Sequence, residues 1–117
     1  MPSFSFDSSV EDIFTTLVSG AQLVLMKDLR LNLNKLITIL GDYKVTNLLA
    51  VPSYYNNLLD MISERLNHMR FVAIAGEGFS DALIKKHFRK LQDVQLFNEY
   101  GPTENSVCST VCELNPE

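Results

Sequence analysis

Apolar positions along this chain follow two alternating rhythms. Between residues 8 and 19, Val10, Ile13, Phe14, Leu17 and Val18 fall at helical spacing, and Gly20 follows as a stop. Ala21 to Met26 is a short apolar run that reads as a strand. Leu33, Leu36, Ile37 and Leu40 give a second helix, expected to end at Gly41. Val45 to Val51 reads as a strand, broken by Pro52 where a proline suits the first turn of a helix. That helix carries Leu58, Leu59, Ile62 and Leu66 on one side. Phe71 to Ala75 is an uninterrupted apolar strand that runs into Gly76-Glu77-Gly78. Ser80 is a natural N-cap for a helix with Leu83, Ile84, Phe88 and Leu91. Val94 to Phe97 is the last clear strand, and a further one is read at Val107 to Leu114.

Strands that are apolar throughout, alternating with amphipathic helices, describe a mainly parallel sheet covered on both faces. The expected fold is α/β, a three-layer, flavodoxin-like sandwich in which residues 1–117 form a single subdomain. No repeat, linker or low-complexity stretch divides the chain. In such folds ligands gather at the carboxyl ends of the strands. Two of those ends are chemically unusual here: Ala75-Gly76-Glu77-Gly78 and Asn98-Glu99-Tyr100-Gly101-Pro102-Thr103-Glu104.

Composition narrows the function classes. At 46% hydrophobic and 21% charged, the chain has enough apolar residues for a real core. A net charge of −4 argues against a nucleic-acid partner, which selects a basic face. The cluster Lys85, Lys86, Arg89 and Lys90 fits a solvated helix face. The opening Met1-Pro2-Ser3-Phe4 has neither a basic region nor a long apolar run, so no signal peptide or membrane anchor is expected there. Cys108 and Cys112 are read as reduced thiols packed in the core, and the expected compartment is cytoplasmic. With His68 and His87, both expected at the surface, they show no zinc-ligand spacing. Tyr54 and Tyr55 are read as packing residues at a helix start.

The segment 98–104 carries the strongest chemical signal. Tyr100 offers an aromatic face for a flat base, Gly101 allows close backbone approach, and Pro102 stiffens the turn. Thr103 adds a hydroxyl, and Glu104 a hard oxygen ligand of the type Mg²⁺ takes. The same residues could form only a tight turn with a helper carboxylate.

Asn98-Glu99-Tyr100-Gly101-Pro102-Thr103-Glu104 resembles the Asn-x-Tyr-Gly-Pro-Thr-Glu signature of nonribosomal peptide synthetase adenylation domains. Phe6-Asp7-Ser8-Ser9 resembles their Phe-Asp-x-Ser motif. Ala75-Gly76-Glu77-Gly78 is similar to their Gly-Glu-Ala segment, with Gly78 in place of the usual Ala. The resemblance implies that Tyr100 stacks on the adenine of ATP, with the backbone of Gly76, Glu77 and Gly78 opposite and Asn98 on the adenine edge. Gly101 belongs to the same nucleotide-binding loop. It further implies two catalytic positions, Thr103 on the α-phosphate and Glu104 on Mg²⁺. Asp7 would pair with the α-ammonium group of an amino acid. The implied reaction is attack of the amino-acid carboxylate on ATP, giving aminoacyl-AMP and pyrophosphate. The activated acyl group would then pass to the phosphopantetheine thiol of a carrier protein. The family's phosphate loop with its Lys, its Tyr-x-Thr-Gly-Asp motif and its C-terminal subdomain are not among these 117 residues. The chain alone is therefore expected to be inactive and to bind no ligand tightly.

By the same resemblance the amino-acid pocket would be lined by Asp7, Ser8, Glu11, Ala50, Ala73, Ala75, Glu99, Val107 and Cys108. Three alanines leave room for a long side chain. Two carboxylates without a partner are costly to bury, which favours a cation such as the side chain of lysine, ornithine or arginine. Two plainer readings stay open. Ser8-x-x-Glu11 also fits a capping box, and Glu99 could face solvent. Competing functions are a freestanding flavin- or nucleotide-binding module and a receiver-type signalling module. The first lacks a Ser/Thr/Gly-rich loop after a strand, and the second lacks its acidic cluster and strand lysine.

Overall fold

The computed structural model describes residues 4–26, 32–62 and 66–116. In chain order the elements are α1 (Ser8–Val18), α2 (Leu33–Asp42), β1 (Asn47–Ala50), α3 (Pro52–Met61), β2 (Phe71–Ala75), α4 (Asp81–Lys90), β3 (Gln95–Tyr100) and β4 (Thr110–Leu114). A single 3-10 turn, Thr103–Asn105, separates β3 from β4. The strands form one sheet in the order β1-β2-β3-β4. The first three are parallel and β4 is antiparallel to β3. The α/β sandwich with a mainly parallel sheet is therefore observed.

Helix ends follow local chemistry. Gly20 (φ 73°) closes α1, and the Ala21 N–H reaches back to the Thr16 carbonyl. Asn32 caps α2 by accepting from the Lys35 N–H at 3.1 Å. Gly41 lies inside α2 instead of ending it. Lys44 (φ 50°) makes the left-handed turn, so that Val45 N–H bonds Leu40 O at 2.9 Å. Pro52 occupies the first turn of α3. Ser80 is the N-cap residue of α4 but makes no side-chain cap bond.

Because β1, β2 and β3 lie side by side in chain order, right-handed crossovers place α3 and α4 on the same face. There Leu48, Ala50, Val72, Ile74 and Leu96 pack against Leu36, Ile37 and Leu40 of α2, Tyr55, Leu58 and Leu59 of α3, and Leu83 of α4. The opposite face carries Leu49, Phe71, Ala73, Phe97 and Glu99, and α1 stands across it. Among the described residues no helix is long and apolar enough to cross a membrane.

Five expectations need correction. Cys108 and Cys112 are not core residues: Cys108 is half-buried and Cys112, on β4 at the sheet edge, is exposed. Residues 21–26 form no strand, although Leu23 and Val24 are half-buried beside β1. An apolar run becomes a strand only if a neighbour accepts its hydrogen bonds. β3 continues through the polar residues to Tyr100, because β2 pairs it as far as Glu99 and β4 as far as Tyr100. β4 begins at Thr110, later than read. His87 is not a surface residue: it is wholly buried on the inner face of α4.

The His87 ring is fixed at both nitrogens. Nε2 lies 2.7 Å from the Val94 carbonyl, which can only accept, so Nε2 carries the proton. Nδ1 then accepts from the buried Tyr55 hydroxyl. Burial lowers the His87 pKa from its ordinary 6.5, outweighing the opposing pull of the Val94 carbonyl. The folded state holds this ring neutral. Its contribution is complete above about pH 6.5 and is lost as pH falls through the lowered folded value. His87→Phe should destabilise the protein by about 2–3 kcal/mol at pH 7.5, since it strands the Tyr55 hydroxyl and the Val94 carbonyl. The gap between wild type and variant should narrow between pH 6.5 and 5, as urea denaturation at stepped pH would show.

Candidate functional site

Three parallel strands deliver their carboxyl ends to one edge of the sheet: Ala50-Val51, Ala75-Gly76 and Glu99-Tyr100. Gly76 takes φ 84°, a conformation open to glycine, and Glu77 Oε2 accepts from the Ser53 N–H at 3.1 Å. Glu77 thereby caps α3, whose N-cap residue Val51 offers no side-chain acceptor. The loop Gly76–Gly78 is held against α3, next to the end of β3.

The segment after β3 is tightly folded. A Cβ at Gly101 would collide with the Val107 carbonyl and come within 2.7 Å of Cys108 Cα, so only glycine fits. Ser109 N–H bonds Tyr100 O at 2.9 Å, and Asn105 Nδ2 bonds Ser109 Oγ at 2.7 Å. Ser106 (φ 59°) and Val107 (φ 76°) both take left-handed backbone. In a β-branched residue such as Val107 that conformation is strained, a condition found where a loop is shaped for function. Thr103 and Glu104 are exposed on the 3-10 turn, and Tyr100 exposes its ring at the same strand end.

β3 sends alternate residues to opposite sides. Asn98 and Tyr100 share the face of Leu96, towards the helices, whereas Phe97 and Glu99 point to the α1 side. On that second side lies a cavity of about 540 Å³, lined by Leu49, Phe71, Ala73 and Glu99 from the sheet, by Glu11, Asp12, Thr15 and Thr16 from α1, and by its C-cap Ser19.

The orientation of α1 reverses its amphipathic pattern. Its polar residues face the sheet, while Val10 (50%), Phe14 (60%), Leu17 (56%) and Val18 (82%) are exposed. Asp7 caps the helix, with Oδ1 accepting from the Ser8 N–H at 2.8 Å. Ser8 is thus the first helical residue, and the capping box with Glu11 does not form. The Glu11 carboxylate reaches into the cavity instead. Its oxygen, one from Glu99 and Cys108 Sγ all lie within 4.8 Å of one another.

These acids raise one another's pKa. Burial, then the charges of Glu11 and Asp12, push Glu99 up to about 7. Burial pushes Asp12 up to about 6, with the N-terminal ammonium opposing and Glu11 adding to the rise, and burial and Asp7 raise Glu11. Burial, with Glu99 and Glu11 adding to it, also raises the Cys108 thiol, which stays protonated at neutral pH. Glu11, Glu99 and Cys108 could together ligate a metal ion. The protonated thiol makes them better suited to an organic cation.

The structure brings together Glu11, Ala73 and Glu99, with Cys108 alongside. Ala75 follows Ala73 on the same face, and Ser8 and Val107 are half-buried near the two motifs. Ala50 is elsewhere: the pleat turns it into the helix-facing core, and Leu49, registered beside Ala73, lines the cavity. Asp12 is a further lining residue that sequence reasoning missed. For Leu49 the signal was available in strand alternation once its register with Ala73 is known.

Glu99 has its charged form disfavoured in the fold, so its contribution is complete below its ordinary 4.5 and is lost as pH rises through about 7. Glu99→Gln should therefore stabilise the protein at pH 8 by about 1 kcal/mol, a value discounted for partial exposure. The gain should vanish near pH 4.5 in the same denaturation assay.

Residues 1–117 match the family described as AMP-binding enzyme. The chain is 65% identical over 117 residues to bacitracin synthase 3 of Bacillus licheniformis, covering all of this chain and 2% of that protein. It is 36% identical over 114 residues to gramicidin S synthase 2 of Brevibacillus brevis, covering 93% of this chain and 2% of that protein. The fold matches that of PA1221, a nonribosomal peptide synthetase protein containing adenylation and carrier domains, with a TM-score of 0.88 at 23% identity. That match covers 98% of this chain and 23% of the other. The chain thus spans a small part of each of these proteins.

Proposed function

The chain belongs to the AMP-binding enzyme family, and we propose that it forms the amino-acid pocket and one wall of the ATP site in a nonribosomal peptide synthetase adenylation domain. One observation carries this reading. α1 turns its carboxylates, not its apolar stripe, onto the sheet, so the fold keeps a polar cavity beside a nucleotide-type loop. A helix oriented for stability alone would do the reverse.

In this reading the two sides of β3 hold the two substrates. Tyr100 stacks on adenine, Asn98 meets its edge, and the backbone of Gly76 to Gly78 approaches from the other side. Asp7, at the start of α1, pairs with the α-ammonium group and brings the carboxylate to the strand end. A carboxylate oxygen attacks the α-phosphorus, the bond to pyrophosphate breaks, and aminoacyl-AMP forms. Thr103 contacts the α-phosphate. Glu104 is a single exposed oxygen donor, which fits a Mg²⁺ that keeps several waters and phosphate oxygens. When bound, Mg²⁺ would neutralise charge on the leaving pyrophosphate. Positioning and charge neutralisation supply the catalysis, and no side chain serves as a nucleophile. The acyl group then leaves on a carrier-protein thiol. The 117 residues alone should support no pyrophosphate exchange.

The side chain selected is basic. Glu11 and Glu99 face a cavity walled by Leu49, Phe71 and Ala73, where a neutral ligand would leave buried charge unpaired. Leu49 in place of Ala50 narrows the space, so the basic side chain need not be long. In the complete domain, exchange assays should rank lysine, ornithine, arginine or histidine above leucine and phenylalanine. Glu11→Gln should lower kcat/KM for the preferred basic substrate about tenfold or more. A neutral amino acid ranked first would refute the charge argument.

The nucleotide wall is checked separately. Tyr100→Ala should raise the KM for ATP by an amount equivalent to about 1–3 kcal/mol, as for other base–aromatic stacks. Glu104→Gln should lower kcat and shift the Mg²⁺ requirement upward. Unchanged kinetics in both variants would remove these roles.

A further inference from the structure

We propose that Asp12, next to the pocket acids but outside the motif-matched set, is a specificity-determining residue that makes the cavity select a cationic side chain. The inference rests on the basic-substrate reading above.

Position comes first. Glu11, Asp12, Thr15 and Thr16 of α1 and its C-cap Ser19 form one continuous stripe, and all of them line the cavity. Asp12 is therefore part of the wall and not a solvated neighbour of Glu11. Its Oδ2 is shielded from solvent and has no hydrogen-bond partner. A shielded carboxylate oxygen without a donor is an incomplete arrangement, and a cationic ligand or its bound water can complete it.

Charge comes second. The titratable groups in or beside this space are Glu11 and Asp12 from α1, Asp7 capping that helix, Tyr43 after α2, Glu99 from β3, Cys108 from the loop before β4, and the N-terminal ammonium, whose charge acts on Asp12. Among the described residues lining the cavity the one lysine or arginine is Lys44, in the turn between α2 and β1. Lys44 and the N-terminal ammonium offset only part of this acidic charge, and raised proton affinities relieve the rest. Asp12, raised to about 6, and Glu99, raised to about 7, exchange protons with solvent across pH 5.5–7.5. A cation entering the cavity displaces a proton, and a neutral side chain does not. Asp12 acts on the ligand directly by charge and also by setting how readily Glu99 ionises.

The test is steady-state exchange kinetics of the complete adenylation domain with its preferred basic amino acid and with leucine, for wild type, Asp12→Asn and Asp12→Glu, from pH 5.5 to 8. In the wild type, KM for the basic substrate should fall several-fold as pH rises from 5.5 to 7.5. Asp12→Asn should raise that KM about tenfold with kcat little changed, flatten its fall with pH, and raise kcat/KM for leucine. Asp12→Glu should recover most of the basic preference. Isothermal calorimetry in buffers of different ionisation enthalpy should show proton release on binding the basic substrate, reduced in Asp12→Asn. If the wild type prefers a basic substrate but Asp12→Asn keeps its ratio to leucine and its pH profile, the Asp12 inference is overturned and the basic pocket stands. Equal loss of kcat with every substrate, unrelieved by Asp12→Glu, makes Asp12 structural and also overturns it. A wild type that prefers a neutral amino acid overturns both.

Discussion

β3 is held between two neighbours of opposite sense, and its pleat divides the molecule. Registered against β2 from Gln95 to Glu99 and against β4 from Leu96 to Tyr100, it cannot slip by one residue without exchanging every side chain between faces. Leu96, Asn98 and Tyr100 stay on the helix side, and Phe97 and Glu99 stay on the α1 side. The two subsites of the proposed function would therefore lie on opposite sides of one strand without mixing their contents. They converge only beyond the strand end, at Gly101 and the 3-10 turn.

The two faces differ in how they treat water. On the helix side, Leu58, Leu59, Val72, Ile74 and Leu96 are fully buried, each contributing about 1.5–3 kcal/mol. His87 joins them only because both of its nitrogens find partners. On the α1 side, Glu11, Asp12 and Glu99 lose solvent beside one another, and their proton affinities rise as a result. Stability comes from the first face and, in the proposed function, selectivity from the second. Natural folds tolerate such locally unfavourable charge where a ligand is to be bound.

The loop 101–109 shows the same division of roles at the level of backbone. Its shape depends on one glycine that nothing else can replace, two consecutive left-handed residues, and hydrogen bonds from Ser109 to Tyr100 and from Asn105 to Ser109. Thr103 and Glu104 are thereby presented on a fixed turn and need no packing of their own.

Much of this was legible in the residues alone. Helix and strand positions follow from spacing and from local punctuation: Gly20 ends α1, Pro52 starts α3, and Phe71 to Ala75 is a strand from end to end. These features depend on contacts a few residues apart, which can be counted along the chain. The motif at 98–104 is equally local, and its glycine and turn appear where the pattern placed them. Other features required the partners that folding supplies. An amphipathic pattern states that α1 has two faces, but not which one meets the sheet. Residues 21–26 are apolar enough for a strand, yet only a neighbour's hydrogen bonds could make them one. His87 reads as a surface residue until Tyr55 and Val94 are brought to it. Whether Leu49 or Ala50 enters the cavity depends on register with β2, more than twenty residues away along the chain. Tertiary structure decided these points because each depends on groups far apart in sequence whose proximity only the folded chain creates.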